Sequence, residues 1–251
     1  MSATVLLLHG QPGSARDWDG VLRALPADVS ALAIDRPGWD GRSGAGELDL
    51  NARAALAALD SAGAPAAVIA GHSFGAAIAA WLAAFWPERV LGLALIAPAA
   101  NEASLSPLDR WLARPLAGYL TGCALLAGAG AALSSARLRA RMAARLGVDQ
   151  RFLLASARTL RAPRSWRAFA IEQRGLIAEL PRLEGELHRI RAPTSIVIGS
   201  VDRIVPPSSA RLLARQIPHA RLLELPGASH LLPHQRPKPL AAEIAALARV
   251  R

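Results

Sequence analysis

Gly71-His72-Ser73-Phe74-Gly75 follows the apolar run Ala66-Ala67-Val68-Ile69-Ala70 and leads into an Ala-rich stretch, Ala76 through Phe85. The run reads as a strand and the stretch as a helix. A strand that turns abruptly into a helix needs small residues on both sides of its corner, because side chains at Gly71 and Gly75 would collide with neighbouring backbone. Ser73 then projects from a strained, exposed turn, a nucleophile elbow. The backbone N–H of Phe74, at the start of the helix, points to where negative charge develops on an attacked carbonyl.

The N-terminus supplies a matching loop. Thr4-Val5-Leu6-Leu7-Leu8 reads as a fully buried strand and runs straight into His9-Gly10-Gln11-Pro12-Gly13. Such a loop brings a second N–H to the same spot, and Gln11, two residues after His9, is the candidate donor; two convergent amides make an oxyanion hole. The plainer reading is that His9-Gly10 only ends a strand with a tight turn.

Beyond these two stretches, strand candidates at 4–8, 30–34, 66–70, 90–96, 194–199 and 221–225 alternate with helices at 15–24, 50–62, 74–86, 207–216 and 236–249. The alternation predicts an α/β fold with a mostly parallel sheet of about six strands and helices on both faces. Between Pro98 and Pro193 it gives way to Ala/Leu/Arg-rich helical stretches punctuated by Pro107, Pro115, Pro163 and Pro181. Residues 99–190 are therefore expected to form a helical cap inserted into a core made of 1–98 and 191–251. A length of 251 residues suits one domain carrying such an insert.

A serine hydroxyl is a poor nucleophile at neutral pH, so Ser73 needs a base, and the base needs an orienting partner. Strand 194–199 ends in Gly199-Ser200-Val201-Asp202-Arg203-Ile204-Val205-Pro206, and strand 221–225 in Pro226-Gly227-Ala228-Ser229-His230. Both loops lie at the C-terminal edge of the sheet, where ligands and catalytic groups of open α/β sheets gather. Ser73, Asp202 and His230 thus follow in chain order, each on its own strand-end loop. Taken singly, Asp202 could cap the following helix and His230 could be a surface residue. His72 should point away from the face of Ser73, His9 belongs to the oxyanion loop, and His188, His219 and His234 do not end a strand. Glu102, shortly after the fourth strand, is the rival acid.

These landmarks together resemble the α/β-hydrolase superfamily: His9-Gly10, Asp35-Arg36-Pro37-Gly38 with Gly41 and Ser43, the elbow at Ser73, Asp202 in Gly-x-x-Asp-x-x-Val-Pro, and Gly227-Ala228-Ser229-His230. The resemblance covers nearly the whole chain except the cap. It implies the α/β-hydrolase fold, Ser73 as nucleophile, His230 as general base and then acid, Asp202 as orienter, and the amides of Gln11 and Phe74 as the oxyanion hole. Two departures stand out. The chain starts at what would be the family's third strand, and Trp39-Asp40 separate Gly38 from Gly41 by one residue more than usual, in a loop read as structural. Serine at the elbow argues against haloalkane dehalogenase and epoxide hydrolase chemistry, which the family runs with aspartate there. The expected activity is hydrolysis of a carboxylic ester or related acyl substrate with a hydrophobic portion, using no metal or organic cofactor. Trp111, Tyr119, Phe152, Trp166 and Phe169 supply an apolar cap. C–C bond hydrolysis, cofactor-free perhydrolysis and acyl transfer to another acceptor remain open on the same triad, and a non-catalytic binding module is the alternative in a different class.

Charge adds less. The formal net charge is +10, with Lys238 the only lysine, but the arginines are scattered and no aromatic-interleaved basic stripe is present, so no nucleic-acid partner is expected. Cys123 is the only cysteine, which precludes an intrachain disulfide. The start, Met1-Ser2-Ala3, leaves no room for a leader ahead of the first strand, so a cytoplasmic location is expected. Leu116 through Leu133 carries no charge and approaches membrane-spanning length, yet Gly118, Gly122, Gly128 and Gly130 interrupt it. Next, Arg137, Arg141 and Arg145 form one helical stripe beside Leu138, Met142 and Leu146. A cap helix over a greasy pocket is the favoured reading, and membrane-surface contact through 116–146 the alternative. Nothing in the sequence sets the oligomeric state.

Overall fold

A computed structural model describes residues 3–249. Six strands, β1 (Val5–Leu8), β2 (Ala31–Ile34), β3 (Ala67–His72), β4 (Val90–Ile96), β5 (Thr194–Gly199) and β6 (Arg221–Leu225), form one sheet in the order β2-β1-β3-β4-β5-β6. Every pairing is parallel. Interior strands β1, β3 and β5 are buried along their whole length, while edge strands β2 and β6 stay partly accessible. This explains their composition: strands covered on both faces read as continuous apolar runs.

The helices are α1 (Asp19–Ala24), α2 (Leu48–Ser61), α3 (Phe74–Phe85), α4 (Pro107–Leu112), α5 (Ala117–Ser134), α6 (Ala136–Leu146), α7 (Gln150–Arg161), α8 (Pro163–Glu186), α9 (Pro207–Gln216), α10 (Leu232–Gln235) and α11 (Pro237–Arg249). The helix expected over 15–24 divides: Ala15–Trp18 is a 3-10 turn, opened by Ser14 in a reciprocal capping box with Asp17, and α1 follows. The order of strands dictates where helices lie. The chain moves outward from β1 to β2, then reverses across β1 to β3 and continues to β6. Right-handed crossovers place α1 on one face and the helices of the later crossovers on the other. After β6, α11 returns to pack on α1. The reversal falls between β1 and β3, the switch point at whose C-terminal edge such sheets bind ligands.

Five helices, α4 to α8, fill the excursion between β4 and β5. Leu133, Ala143, Leu153, Ala157 and Leu160 form a small hydrophobic cluster of their own there. The excursion does not detach cleanly at residue 190, however. The second half of α8 lays Leu176, Leu180 and Leu183 into the main core, joined by Leu187 directly after it. Glu179 also accepts the Leu48 N–H at 2.6 Å, capping α2, whose own N-cap residue Glu47 makes no side-chain bond. One long helix therefore belongs to both parts. Leu183→Ala, which removes a fully buried side chain, is expected to lower the single unfolding transition of the whole protein by about 2–5 kcal/mol in urea. A sheet transition left unmoved would contradict this packing.

Candidate active site

Ser73 holds φ 54° and ψ −116°, outside the regions an L-residue occupies comfortably. Its neighbours show what makes the turn feasible. A Cβ on Gly71 would lie 2.1 Å from the Gly75 carbonyl oxygen, and one on Gly75 would lie 2.3 Å from the Leu8 oxygen. The corner is also hydrogen-bonded in place: the Ser73 N–H donates to the Ile96 carbonyl at 2.9 Å, and its own carbonyl accepts from Ala76 at 2.9 Å and Ala99 at 3.3 Å. Helix α3 begins at Phe74, so its first amides have no carbonyl within the helix to bond.

The structure brings His230 and Asp202 together. The Nδ1 of His230 lies 2.8 Å from Asp202 Oδ2, with both residues buried. The other carboxylate oxygen accepts the N–H groups of Ile204 at 2.8 Å and Val205 at 3.0 Å. Asp202 thus braces its own turn ahead of α9 and orients the imidazole at once, so the two readings of this residue are not exclusive. An acceptor at Nδ1 places the proton there and leaves Nε2 as the basic nitrogen. His72 does not simply turn away from the site. Its Nε2 donates to the His230 carbonyl at 2.9 Å, and the two rings lie 5.0 Å apart, which ties the His230 loop to the elbow. Burial, then repulsion from His230, holds His72 well below the usual imidazole range. Glu102 takes no part here: it pairs with Arg110 at 3.7 Å on the surface.

The loop after β1 closes the third side. A Cβ on Gly10 would stand 3.2 Å from that of Ser73, so Gln11 follows directly from a residue touching the elbow. The Gln11 side chain donates to Gln173 Oε1 at 2.8 Å, while Gln173 Nε2 donates to the Asp109 carbonyl at 3.2 Å. Gln11 Oε1 is buried with no hydrogen-bond partner among the described residues. Gln173 therefore connects the loop after β1 to α4.

Arg36 and Glu172 were not identified from sequence as part of this site. Arg36 is buried, donating through Nε to the His9 carbonyl and through Nη2 to the Gly10 carbonyl, both at 2.9 Å, and through Nη1 to Asn51 at 3.0 Å. Its guanidinium forms an ion pair with Glu172 and stands 4.9 Å over the Phe74 ring. Trp39 Nε1 also donates to Glu172, at 2.9 Å. The Asp-Arg-Pro-Gly loop is thus the anchor of the loop after β1. The signal in the sequence was a charged residue two positions after an apolar strand; its partner, 136 positions away, had none. Burial raises the Glu172 pKa despite Arg36. His9 is held far below its ordinary value by burial and then by Arg36, and its neutral ring accepts the Arg36 N–H at Nε2, 3.1 Å.

A strained serine, a buried imidazole–carboxylate pair and loops that meet at the sheet's switch point are features of the α/β-hydrolase class. A sequence model of the alpha/beta hydrolase family matches residues 5–243, and the chain belongs to that family. The dihydrolipoyllysine-residue acetyltransferase component of an acetoin cleaving system from Pseudomonas putida is 30% identical over 239 residues, covering 91% of this chain and 58% of that protein. This chain therefore spans little more than half the length of that relative. A pimeloyl-[acyl-carrier protein] methyl ester esterase from Neisseria meningitidis is 28% identical over 229 residues, covering 90% of this chain and 86% of its own length. The crystal structure of an enol-lactonase from Burkholderia xenovorans superposes with a TM-score of 0.77 at 21% identity, over 98% of this chain and 91% of that one. Esterases and lipases recur among the relatives.

Two measurements probe the surroundings of the site. Removing one partner of the buried pair, by Arg36→Met or Glu172→Leu, is expected to cost about 3–5 kcal/mol each in urea unfolding, and the double variant to recover part of that loss, because a lone buried charge is worse than none. Asp17 has 17% side-chain exposure and lies 3.7 Å from His234. Burial raises its pKa to about 7, and burial lowers that of His234 to about 4. A carboxyl with a raised folded pKa stabilises below its unfolded pKa, and that contribution is lost as pH rises through about 7. The lowered His234 runs the opposite way, its contribution being lost as pH falls toward about 4. Between pH ~5 and ~8, wild type is expected to lose about 1–3 kcal/mol more stability than Asp17→Asn, a range reduced for residual solvent. Parallel pH curves would refute the assignment.

Proposed function

We propose that the protein is a serine hydrolase that cleaves a carboxylic ester, or a related acyl compound, with a hydrophobic portion. The observation that carries this reading is the buried His230–Asp202 hydrogen bond of 2.8 Å beside a serine at φ 54°. Ser73 Oγ attacks the carbonyl carbon while His230 Nε2 takes its proton. Asp202 holds the ring and offsets the imidazolium charge that forms. The N–H groups of Gln11 and Phe74 receive the developing oxyanion. Collapse expels the alcohol, which takes the proton from His230, and leaves an acyl-Ser73. Water, activated by the same imidazole, then releases the carboxylic acid. The steps need no metal or organic cofactor. Residues 99–190 act as the cap, and its contribution of Glu172 and Gln173 to the oxyanion loop supports that role. Esterase and lipase relatives favour ester substrates.

A fluorophosphonate probe is expected to label wild type and not Ser73→Ala. The same change should reduce p-nitrophenyl ester hydrolysis by at least about a thousandfold. Cleavage by Ser73→Ala at the wild-type rate would refute the mechanism, and product analysis with added alcohol or peroxide separates hydrolysis from acyl transfer and perhydrolysis.

A further inference from the structure

Helix α5 has eighteen residues and no charge, yet most of its surface is open. Its packed side is a stripe of Gly118, Gly122, Gly130 and Leu133, which meets α4, α7 and α8. Leu116, just ahead of the helix, and Leu120 and Leu125 within it point outward, 71%, 58% and 50% exposed. A lid over a greasy pocket would have the opposite arrangement. Beside them Trp111 of α4, 42% exposed, donates its Nε1–H to Thr121 of α5 at 3.1 Å, and the Arg114 guanidinium lies 4.7 Å over its ring. At the other end Arg139 of α6 donates to the Leu133 carbonyl at 2.9 Å, and Leu138 and Met142 are exposed between Arg137, Arg141 and Arg145.

The charge is distributed to match. Residues 103–171 hold eleven arginines and two aspartates, Asp109 and Asp149, a net of +9; the rest of the chain holds eighteen basic and seventeen acidic side chains, a net of +1. The sheet-bearing part is close to neutral. Among the described residues, Arg110 is the one of those eleven arginines that forms an ion pair. An apolar helix face, a tryptophan at its margin and unpaired arginines around it fit one partner chemistry best. A nucleic acid would satisfy the arginines and leave the leucines in water, whereas a bilayer with anionic headgroups takes both.

We propose that the protein docks on the surface of anionic lipid bilayers through α4, α5 and α6, with α5 lying in the plane of the interface. It lies there rather than spanning because its glycine stripe stays packed on α7 and α8. Docking concerns binding alone and holds whether or not Ser73 is a nucleophile.

The test is co-sedimentation of the full chain with phosphatidylcholine vesicles, with and without about one-third phosphatidylglycerol. Wild type is expected to pellet with the anionic vesicles, to be released substantially at about 0.5 M NaCl, and to stay in solution with the neutral ones. Leu120→Glu/Leu125→Glu should weaken binding at least about tenfold, as should Arg137→Glu/Arg141→Glu, with thermal unfolding close to wild type because all four side chains are exposed. The arginine pair keeps the test decisive if the leucine variant folds poorly. No binding to anionic vesicles, equal binding to neutral ones, or binding unchanged in the arginine variant would overturn the proposal. So would a stable dimer in sedimentation velocity that Leu120→Glu/Leu125→Glu dissociates, which would assign the face to a second copy of the chain.

Discussion

Arg36, set in the turn after β2, bonds the backbone carbonyls of His9 and Gly10, the amide oxygen of Asn51 and the carboxylate of Glu172, and lies over the ring of Phe74. A guanidinium suits this role because its donors form a rigid planar fork, and its charge does not titrate away. Through it four segments meet: the loop after β1, the start of α2, the elbow helix and α8. The loop that presents Gln11 would otherwise be a glycine-rich turn with backbone carbonyls to satisfy. Its position opposite Ser73 is set by a charge pair that exists only once α8 has packed.

Strain and bracing are distributed around this pair. The dihedral cost at Ser73 is offset by hydrogen bonds to β4 and the segment after it, and by contacts only glycine permits at 71 and 75. The imidazole is braced twice, through Asp202 at Nδ1 and through the backbone carbonyl that His72 holds. Each of these side chains is therefore positioned by something rigid, as a preorganised site requires.

The helices between β4 and β5 serve two masters. Half of α8 is core, and its other half carries Glu172 and Gln173 to the site; residues 103–171, from α4 into the start of α8, carry nearly all the excess positive charge. The family model, an esterase and a lactonase of low identity match nearly the whole of this chain, the excursion included. Sites on a common fold take their individuality from such excursions.

Much of this was legible in the linear order of residues. Strand positions fell within one or two residues, since buried strands must be apolar runs and the turns between them must carry glycine and proline. Ser73, Asp202 and His230 could be selected because each follows a strand, and the C-terminal edge of a parallel sheet collects such loops. The Arg36–Glu172 pair, the Gln11–Gln173–Asp109 relay and the outward turn of the α5 leucines were not legible. Each depends on which faces of helices come together, and a helix with glycine on one side and leucine on the other can bury either. The amino-acid sequence by itself determined the sheet, its order of loops and the candidate reacting groups, because local periodicity and strand-end chemistry are written into neighbouring residues. Only the tertiary structure decided what holds those groups in place and which surface faces outward, because those contacts join separate elements, Arg36 to Glu172 across 136 positions and Gln11 to Gln173 across 162, whose pairing leaves no trace in either neighbourhood.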